Sequence, residues 1–185
     1  MKPMIILVGP SGGGKNYIPK TLGMKYTPGN TTREPRDTDE LMTYHTLKNI
    51  KDLQVMGLFN SKICGETTFH GNYYWTYITD YNNEQNDYMI LSPEGLMNFI
   101  NKYKEHRKIM DKILSENGIV QGEKYLFRPY KIIYFECSEK QRKKNMKKRG
   151  DKRNFIKSRI KHDREAYKGI KELILGELNG HLIQL

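Results

Sequence analysis

Cysteine is scarce in this sequence, and long hydrophobic runs are missing. The 185 residues include two cysteines, Cys64 and Cys137, which lie far apart. Together with five scattered histidines they form no zinc-binding spacing, so we expect two reduced, buried thiols. The first ten residues hold one apolar run of only five residues, Met4–Val8, too short for a signal peptide, and no later run is long enough to span a membrane. The sequence therefore predicts a cytoplasmic protein without a membrane partner.

Acidic residues are few compared with basic ones, and the imbalance is concentrated late in the chain. The sequence has 21 Asp and Glu against 32 Lys and Arg, a net charge of +11. Between Lys140 and Arg164 there are thirteen basic residues but only two acids, Asp151 and Asp163. This density suits a polyphosphate-binding surface and equally a solvated helix face. Nucleic-acid binding ranks last among the interpretations, because the segment lacks interleaved aromatic residues and any known binding motif.

The composition is that of one folded domain. Hydrophobic residues make up 37% of the chain and tyrosine is abundant at 13, which is enough to build a core. Two independently folding domains would be cramped in 185 residues, and no repeat or low-complexity linker divides the sequence. We therefore expect a single domain over residues 1–185.

The hydrophobic pattern alternates between strands and helices. Strands are predicted over Met4–Val8, Phe69–Ile78, Tyr88–Leu91, Tyr130–Phe135 and His181–Leu185. Helices are predicted over Gly14–Gly23, Asn49–Met56, Ser92–Tyr103, a segment ending at Asn117, Ser138–Gly150 and Asn154–Leu175, with a loop over Ile119–Pro129. This alternation predicts an α/β fold with a mostly parallel central sheet sandwiched by helices.

A glycine-rich segment follows the first predicted strand. Its sequence GPSGGGK matches the phosphate-binding pattern G-x-x-x-x-G-K, between an apolar strand and a helix start. The glycines let backbone N–H groups converge on phosphate oxygens, and Lys15 adds positive charge at the β- and γ-phosphates of ATP. The predicted ATP-binding residues are Gly9, Ser11, Gly12, Gly13, Gly14, Lys15 and Asn16.

Asn16 stands where this motif normally has Ser or Thr, whose hydroxyl binds Mg²⁺. An amide carbonyl is still an oxygen ligand, and Mg²⁺ often keeps several waters. Asn16 can therefore hold the metal directly or through water, with some loss of geometry.

A second basic motif, TTREPR from Thr31 to Arg36, comes next. Arginine binds phosphate bidentately, which suits a second phosphate-bearing ligand. The order GPSGGGK, TTREPR, Tyr44-His45 and GNYYWT (Gly71–Thr76) resembles the ordered motifs of the guanylate kinase family. The resemblance extends to the segment KIIYFECSEKQRKKNMKKRG and to Ser158-Arg159 with Glu165. It is weakest between Gly95 and Pro129.

This resemblance implies a P-loop NTPase-type fold and transfer of the ATP γ-phosphoryl group to GMP or dGMP, with Mg²⁺ as cofactor. It implies a core of about 1–30, 88–138 and 160–185, a monophosphate-binding subdomain of about 31–87 and a lid of about 139–159. The partners it implies are small-molecule nucleotides.

Residue roles follow from the same resemblance. The matching monophosphate-binding residues are Arg33, Arg36, Tyr44 and Tyr74, and the matching catalytic residues are Lys15, Arg36, Arg149 and Arg159. A third lid position, usually Arg, falls on Asn145, where the neighbouring Lys144, Lys147 or Lys148 could replace its charge. Lid arginines stabilise the charge that spreads over the transferring phosphoryl group.

The base pocket departs from the family pattern. The two expected aspartates fall on Ile90 and Ser92, and the expected Glu falls on Gly65 or, with a one-residue shift, on Glu66. Thr76 keeps a hydroxyl, so the predicted base-binding residues are Glu66, Thr76 and Ser92. Losing a buried polar partner weakens selection of a base, so two outcomes stay open. Either the acceptor base is not guanine, or Glu66 and Glu94 replace the missing acids and GMP is retained.

Two function classes compete. The first is a nucleoside monophosphate kinase, an enzyme. The second is a non-catalytic guanylate kinase-like module that binds a phosphate group or a phosphopeptide. Such modules typically lose the glycine-rich loop or its lysine, whereas this sequence keeps Lys15 together with Arg149 and Arg159. The kinase interpretation is therefore favoured.

Overall fold

The computed structural model describes residues 1–35, 42–45, 63–69, 71–116 and 127–185. The helix predicted over Asn49–Met56 and most of the predicted loop over Ile119–Pro129 lie outside these residues, as does Arg36. The chain divides into two compact units. We call them the parallel-sheet unit, formed by Met4–Lys25, Asp87–Pro93 and Tyr130–Leu185, and the mixed-sheet unit, formed by Met1–Pro3, Tyr26–Asn86 and Glu94–Pro129.

The parallel-sheet unit contains four parallel strands in the order β6-β1-β7-β8. They are β1 (Met4–Val8), β6 (Tyr88–Ile90), β7 (Tyr130–Glu136) and β8 (His181–Gln184). Ile6 of β1 pairs with Met89 and Ile132 on either side and is fully buried. The four strands predicted from the sequence are confirmed, and β1, with its apolar run, is the one most deeply buried.

Helices flank this sheet. They are α1 (Tyr17–Thr21), α4 (Glu139–Lys148), α5 (Arg153–Ala166) and α6 (Ile170–Gly176). The predicted start of α4 at Ser138 is confirmed, because Ser138 is its N-cap and Gln141 N donates to Ser138 Oγ at 3.3 Å. The single long helix predicted from Asn154 is wrong. Gly169 has a φ of +74°, a left-handed conformation that ends one helix and starts the next.

The mixed-sheet unit has a second sheet in the order β3-β2-β5-β4. Its strands are β2 (Gly29–Thr31), β3 (Met42–Tyr44), β4 (Ile63–Phe69) and β5 (Asn72–Tyr77). The predicted strand over Phe69–Ile78 needs correction at both ends. Phe69 closes β4, Gly71 turns the chain with a φ of +73°, and Ile78 begins the short helix α2 (Ile78–Asn82).

Helix α3 runs from Pro93 to Glu116. Its predicted start at Ser92-Pro93 is confirmed, but the two helices predicted for this region are one, because no glycine or proline interrupts the sequence between Leu96 and Glu116. In the part of the chain that the structure describes, no helix is long and apolar enough to cross a membrane.

Candidate functional site

The glycine-rich loop connects β1 to α1, as the motif requires. Gly12 and Gly14 adopt φ angles of +76° and +85°, which only glycine adopts at low cost. At Gly9 a β-carbon would lie 2.5 Å from the carbonyl oxygen of Phe135, so a larger residue would collide with β7. The loop backbone therefore depends on these glycines, and all seven predicted ATP-binding residues lie between β1 and α1.

Lys15 lies folded along its own loop. Its Nζ donates to the carbonyl oxygens of Pro10, at 2.9 Å, and of Gly9. Burial lowers the pKa of Lys15 to about 7, while the nearby Asp163 carboxylate opposes this shift and Arg159 adds to it. An anionic group bound at the loop would raise this pKa again, because opposite charge favours the ammonium form.

Ser11 is the point where two distant helices meet the loop. Its backbone N–H donates to Asp163 Oδ2 at 2.9 Å, and its carbonyl oxygen accepts from Arg142 Nε at 2.9 Å. Arg159 Nε donates to Ser11 Oγ at 2.5 Å. Arg142 and Asp163 also bond each other, with side chains 6% and 4% exposed. The buried pair therefore links α4 and α5 to the loop.

Sequence reasoning did not identify Arg142 and Asp163 as site residues. The signal available was that Asp163 is one of only two acids in the basic segment from Lys140 to Arg164. Nothing in the sequence indicated that its carboxylate would reach the backbone of Ser11, which lies 152 positions earlier.

The predicted lid residues have different surroundings. Arg159 contacts the loop, whereas the exposed side chain of Arg149, at the end of α4, forms an ion pair with Asp151 at 2.5 Å. Asn145, at the position where the family pattern has an arginine, donates from Nδ2 to the Gly12 carbonyl oxygen at 2.7 Å. The structure therefore brings Arg159 and Asn145 to the loop.

The residues near the loop offer a sparse donor set for Mg²⁺. Asn16 is exposed, and its side chain forms no capping hydrogen bond with α1. Within the described ranges, no group of three or more His, Cys, Asp or Glu side chains is arranged to hold a metal. This set fits a magnesium ion held mainly by nucleotide phosphates and water, with the Asn16 amide oxygen as one protein ligand.

A row of hydroxyl groups crosses the mixed sheet. Tyr44 pairs with Thr31, Thr31 with Tyr74, and Tyr74 with Thr67, so the four residues lie side by side on neighbouring strands. Directly paired residues share a face of a sheet, and we call this the hydroxyl face. The guanidinium carbon of Arg33 lies 5.8 Å from the Tyr44 ring centroid. Three of the four predicted monophosphate-binding residues are therefore close to one row; the fourth, Arg36, lies outside the described residues.

The predicted base-binding residues are not all on that face. Thr76 is two residues beyond Tyr74 on β5 and shares the hydroxyl face. Glu66 pairs with Trp75, on the opposite face, and its Oε1 lies 2.9 Å from Lys102 Nζ. Ser92 belongs to the parallel-sheet unit, after β6.

Glu94 provides a carboxylate that the sequence suggested only as a replacement for the missing acids of the base pocket. It lies in the first turn of α3 and is exposed. Thr67 Oγ1, on the hydroxyl face, donates to Glu94 Oε2 at 2.6 Å. Glu94, and not Glu66, is therefore the acid in contact with this face.

Comparisons with known proteins bear on the fold. No protein-family model matches the chain, and no curated protein matches it. Among solved structures it is similar to the guanylate kinase from Anaplasma phagocytophilum, with a TM-score of 0.50 and 12% identity. The match covers 99% of this chain and 76% of that one. At this identity the similarity concerns the fold alone, since one fold can host many functions. The chain therefore has a guanylate kinase-like α/β fold, as its motif order predicts.

Proposed function

We propose that this protein is an ATP-dependent nucleoside monophosphate kinase, which transfers the γ-phosphoryl group of ATP to GMP, dGMP or another nucleoside or deoxynucleoside monophosphate. The observation that carries the proposal is the hydrogen bond from Arg159 Nε to Ser11 Oγ. It brings a guanidinium from α5 to a loop that already contains Lys15. An arginine beside a lysine whose ammonium form a bound anion favours suits phosphoryl transfer, in which negative charge spreads over the transferring oxygens.

The donor site in this proposal is the loop from Gly9 to Asn16. Its backbone N–H groups bind the ATP phosphates, and Lys15 neutralises charge on them. Arg159 acts at the transferring group, and Arg149 and Arg36 complete the catalytic set. Mg²⁺, when bound, supplies further positive charge, with Asn16 holding it directly or through water.

The acceptor site in this proposal is the hydroxyl face of the mixed sheet. Arg33 and Arg36 bind the acceptor phosphate through their guanidinium groups, and Tyr44 and Tyr74 donate from their hydroxyls. Thr76 and Glu94 lie on or against the same face and are assigned to the base. Glu66 is assigned no contact with the base, because its carboxylate is engaged by Lys102. Ser92 belongs to the parallel-sheet unit and is given no role in this acceptor site.

The carboxylate of Glu94 bears on the choice of base. A carboxylate only accepts hydrogen bonds, so it favours a base edge that donates them. Guanine has two adjacent donors, N1–H and the 2-amino group, whereas adenine and cytosine each have one next to an acceptor. We therefore propose that a guanine nucleotide is the preferred acceptor.

The proposal also assigns each part of the chain to a subdomain. Residues of about 1–30, 88–138 and 160–185 form the core, about 31–87 the monophosphate-binding subdomain, and about 139–159 the lid. Subdomain closure in such enzymes excludes water and completes the catalytic set.

A coupled ADP-release assay tests the proposal, with ATP, Mg²⁺ and a panel of ribo- and deoxynucleoside monophosphates. We expect turnover of at least one monophosphate, and a loss of about 100-fold or more in kcat for Lys15→Ala. Lys20→Ala, an exposed lysine on α1, is the matched control and should leave activity unchanged. Folded protein without turnover of any monophosphate would reject the kinase proposal and favour a non-catalytic module that binds phosphate or phosphopeptide.

A further inference from the structure

Ser11 is held by side chains at every polar group it has. Asp163 accepts from its N–H, Arg142 donates to its carbonyl oxygen, and Arg159 donates to its hydroxyl. The three partners come from two helices, α4 and α5. The position of the loop is therefore determined by these helices as well as by β1 and α1.

Asp163 is the centre of this arrangement. Its Oδ2 accepts from both Ser11 N–H and Arg142 Nη2, and its Oδ1 lies 3.9 Å from Arg159 Nε. The ring nitrogen Nδ1 of His162 lies 3.8 Å from the same oxygen. One buried carboxylate thus orients two guanidinium groups and one backbone amide of the loop.

Helix α4 also lies directly against the loop backbone. A β-carbon at Gly12 would lie 2.8 Å from the carbonyl oxygen of Arg142, so glycine is needed for this approach. Asn145 Nδ2 donates to the Gly12 carbonyl oxygen at 2.7 Å. Two consecutive loop residues are therefore fixed by one face of α4.

The presence of a buried ion pair is by itself weak evidence for a stabilising role. Taking both charges out of water costs free energy, and well-packed apolar residues often replace such a pair without loss of stability. The hydrogen bonds of both side chains to Ser11 indicate that the pair positions the loop. Preorganised charges accelerate a reaction because they need no rearrangement when it occurs.

We propose that Asp163 and Arg142 are positioning residues that hold the phosphate loop and Arg159 in the geometry required for phosphoryl transfer before ATP binds. The inference rests on the proposed kinase function. A displacement of about 1 Å at a reacting group can cost about 100-fold in rate, which sets the expected size of the effect.

The test compares two ion pairs that join the same two helices. The double variant R142M/D163L replaces the buried pair with apolar side chains. The control E139L/R164M removes the more exposed pair, in which Arg164 Nε lies 2.6 Å from Glu139 Oε1. The single variant D163N removes the negative charge but keeps the side-chain shape, whereas R142K keeps the positive charge but changes the shape. Thermal unfolding, amide hydrogen exchange over residues 9–16 and steady-state kinetics are measured for each.

We expect R142M/D163L to stay folded with a lower melting temperature, because the N–H and carbonyl groups of Ser11 lose their partners. We also expect it to lose about 100-fold in kcat/KM for ATP, with an unchanged KM for the acceptor. D163N should show faster amide exchange in the loop but not in β1 or β7, and R142K should recover part of the activity. The control should match wild type throughout. Wild-type kinetics in the folded double variant, or an equal loss in the control, would overturn the proposal.

Two further outcomes are also decisive. Global unfolding of D163N would assign the pair a structural role and overturn the positioning role. If the wild-type protein transfers no phosphoryl group, the kinase proposal fails, and ATP affinity measured by calorimetry then decides the positioning role separately. In that case a D163N affinity about 10-fold weaker than that of the control supports it, and an equal affinity rejects it.

Discussion

The hydroxyl of Thr67 donates a hydrogen bond of 2.6 Å to Glu94 Oε2. Glu66, the residue before Thr67, has its side chain on the other side of β4 and forms an ion pair with Lys102 at 2.9 Å. Successive side chains of a strand point to opposite faces, so Glu66 lies off the hydroxyl face, whereas Glu94 contacts that face through Thr67.

The first prediction compares these acids. Glu94→Gln keeps the shape but removes the anionic acceptor, so we expect KM for the preferred acceptor to rise about 10- to 100-fold, with less discrimination among bases. Glu66→Gln is the matched control and should leave the acceptor KM unchanged. Steady-state kinetics with the monophosphate panel measures both. A larger effect of Glu66→Gln would reverse the assignment.

The second prediction concerns Asn16 and the metal. Serine restores the hydroxyl that this loop position normally provides to Mg²⁺. We therefore expect Asn16→Ser to reach half-maximal activity at a lower Mg²⁺ concentration than wild type. Titrations of Mg²⁺ at saturating ATP measure the change. An identical titration curve would mean that nucleotide and water hold the metal without this side chain.

The third prediction concerns Arg128, which is fully buried in the mixed-sheet unit. Its guanidinium donates to backbone carbonyl oxygens of Lys2, Pro3, Asn83 and Asn86. Methionine would leave these acceptors without their donors, so we expect Arg128→Met to lower the free energy of unfolding by about 2–4 kcal/mol.

Chemical denaturation measures that loss. Arg107→Met, at an exposed position of α3, is the control and should change stability by less than about 0.5 kcal/mol. A similar stability for the two variants would contradict the role given to Arg128, which joins the start of the chain to the Asn83–Asn86 segment.

The fourth prediction concerns Cys64. Burial raises the pKa of its thiol to about 12, and the thiol donates to the Thr76 carbonyl oxygen at 3.4 Å. Because the thiolate is the reactive form, Cys64 should resist iodoacetamide at pH 8 in the folded protein and react after unfolding. In a Cys137→Ser variant Cys64 is the remaining cysteine, so mass spectrometry measures the labelling of Cys64 alone. Rapid labelling of the folded variant would contradict the burial.

The raised pKa of Cys64 also makes the free energy of unfolding depend on pH. The folded state holds the Cys64 proton more tightly than the unfolded state. The protonated thiol therefore makes its full contribution to the free energy of unfolding below the unfolded pKa of about 8.5, and this contribution is lost as pH rises towards 12. The slope in this window is at most about 1.4 kcal/mol per pH unit. Cys64→Ala should reduce the slope, and an unchanged slope would assign it to other groups.

Several features that depend on local sequence were predicted correctly, although the breaks at Gly71 and Gly169 were not. The apolar run Met4–Val8, the glycine-rich loop after it and the cap at Ser138 each depend on neighbouring residues alone. The strands β2, β3 and β4 were not predicted. Two of them have only three residues, and β4 includes Gly65, Glu66 and Thr67, which lack a clear strand pattern. Pairing across the sheet stabilises such segments, and a sequence window does not contain the partner strand.

The sequence by itself determined the α/β class, the glycine-rich loop after β1 and the set of basic and hydroxyl-bearing residues that the proposal uses. The tertiary structure decided which of them meet. The carboxylate of Asp163 reaches Ser11 because helix packing brings together residues separated by most of the chain. Strand register alone places Glu66 and Trp75 on one face and Thr67 and Tyr74 on the other, since a shift of one residue would exchange the two faces.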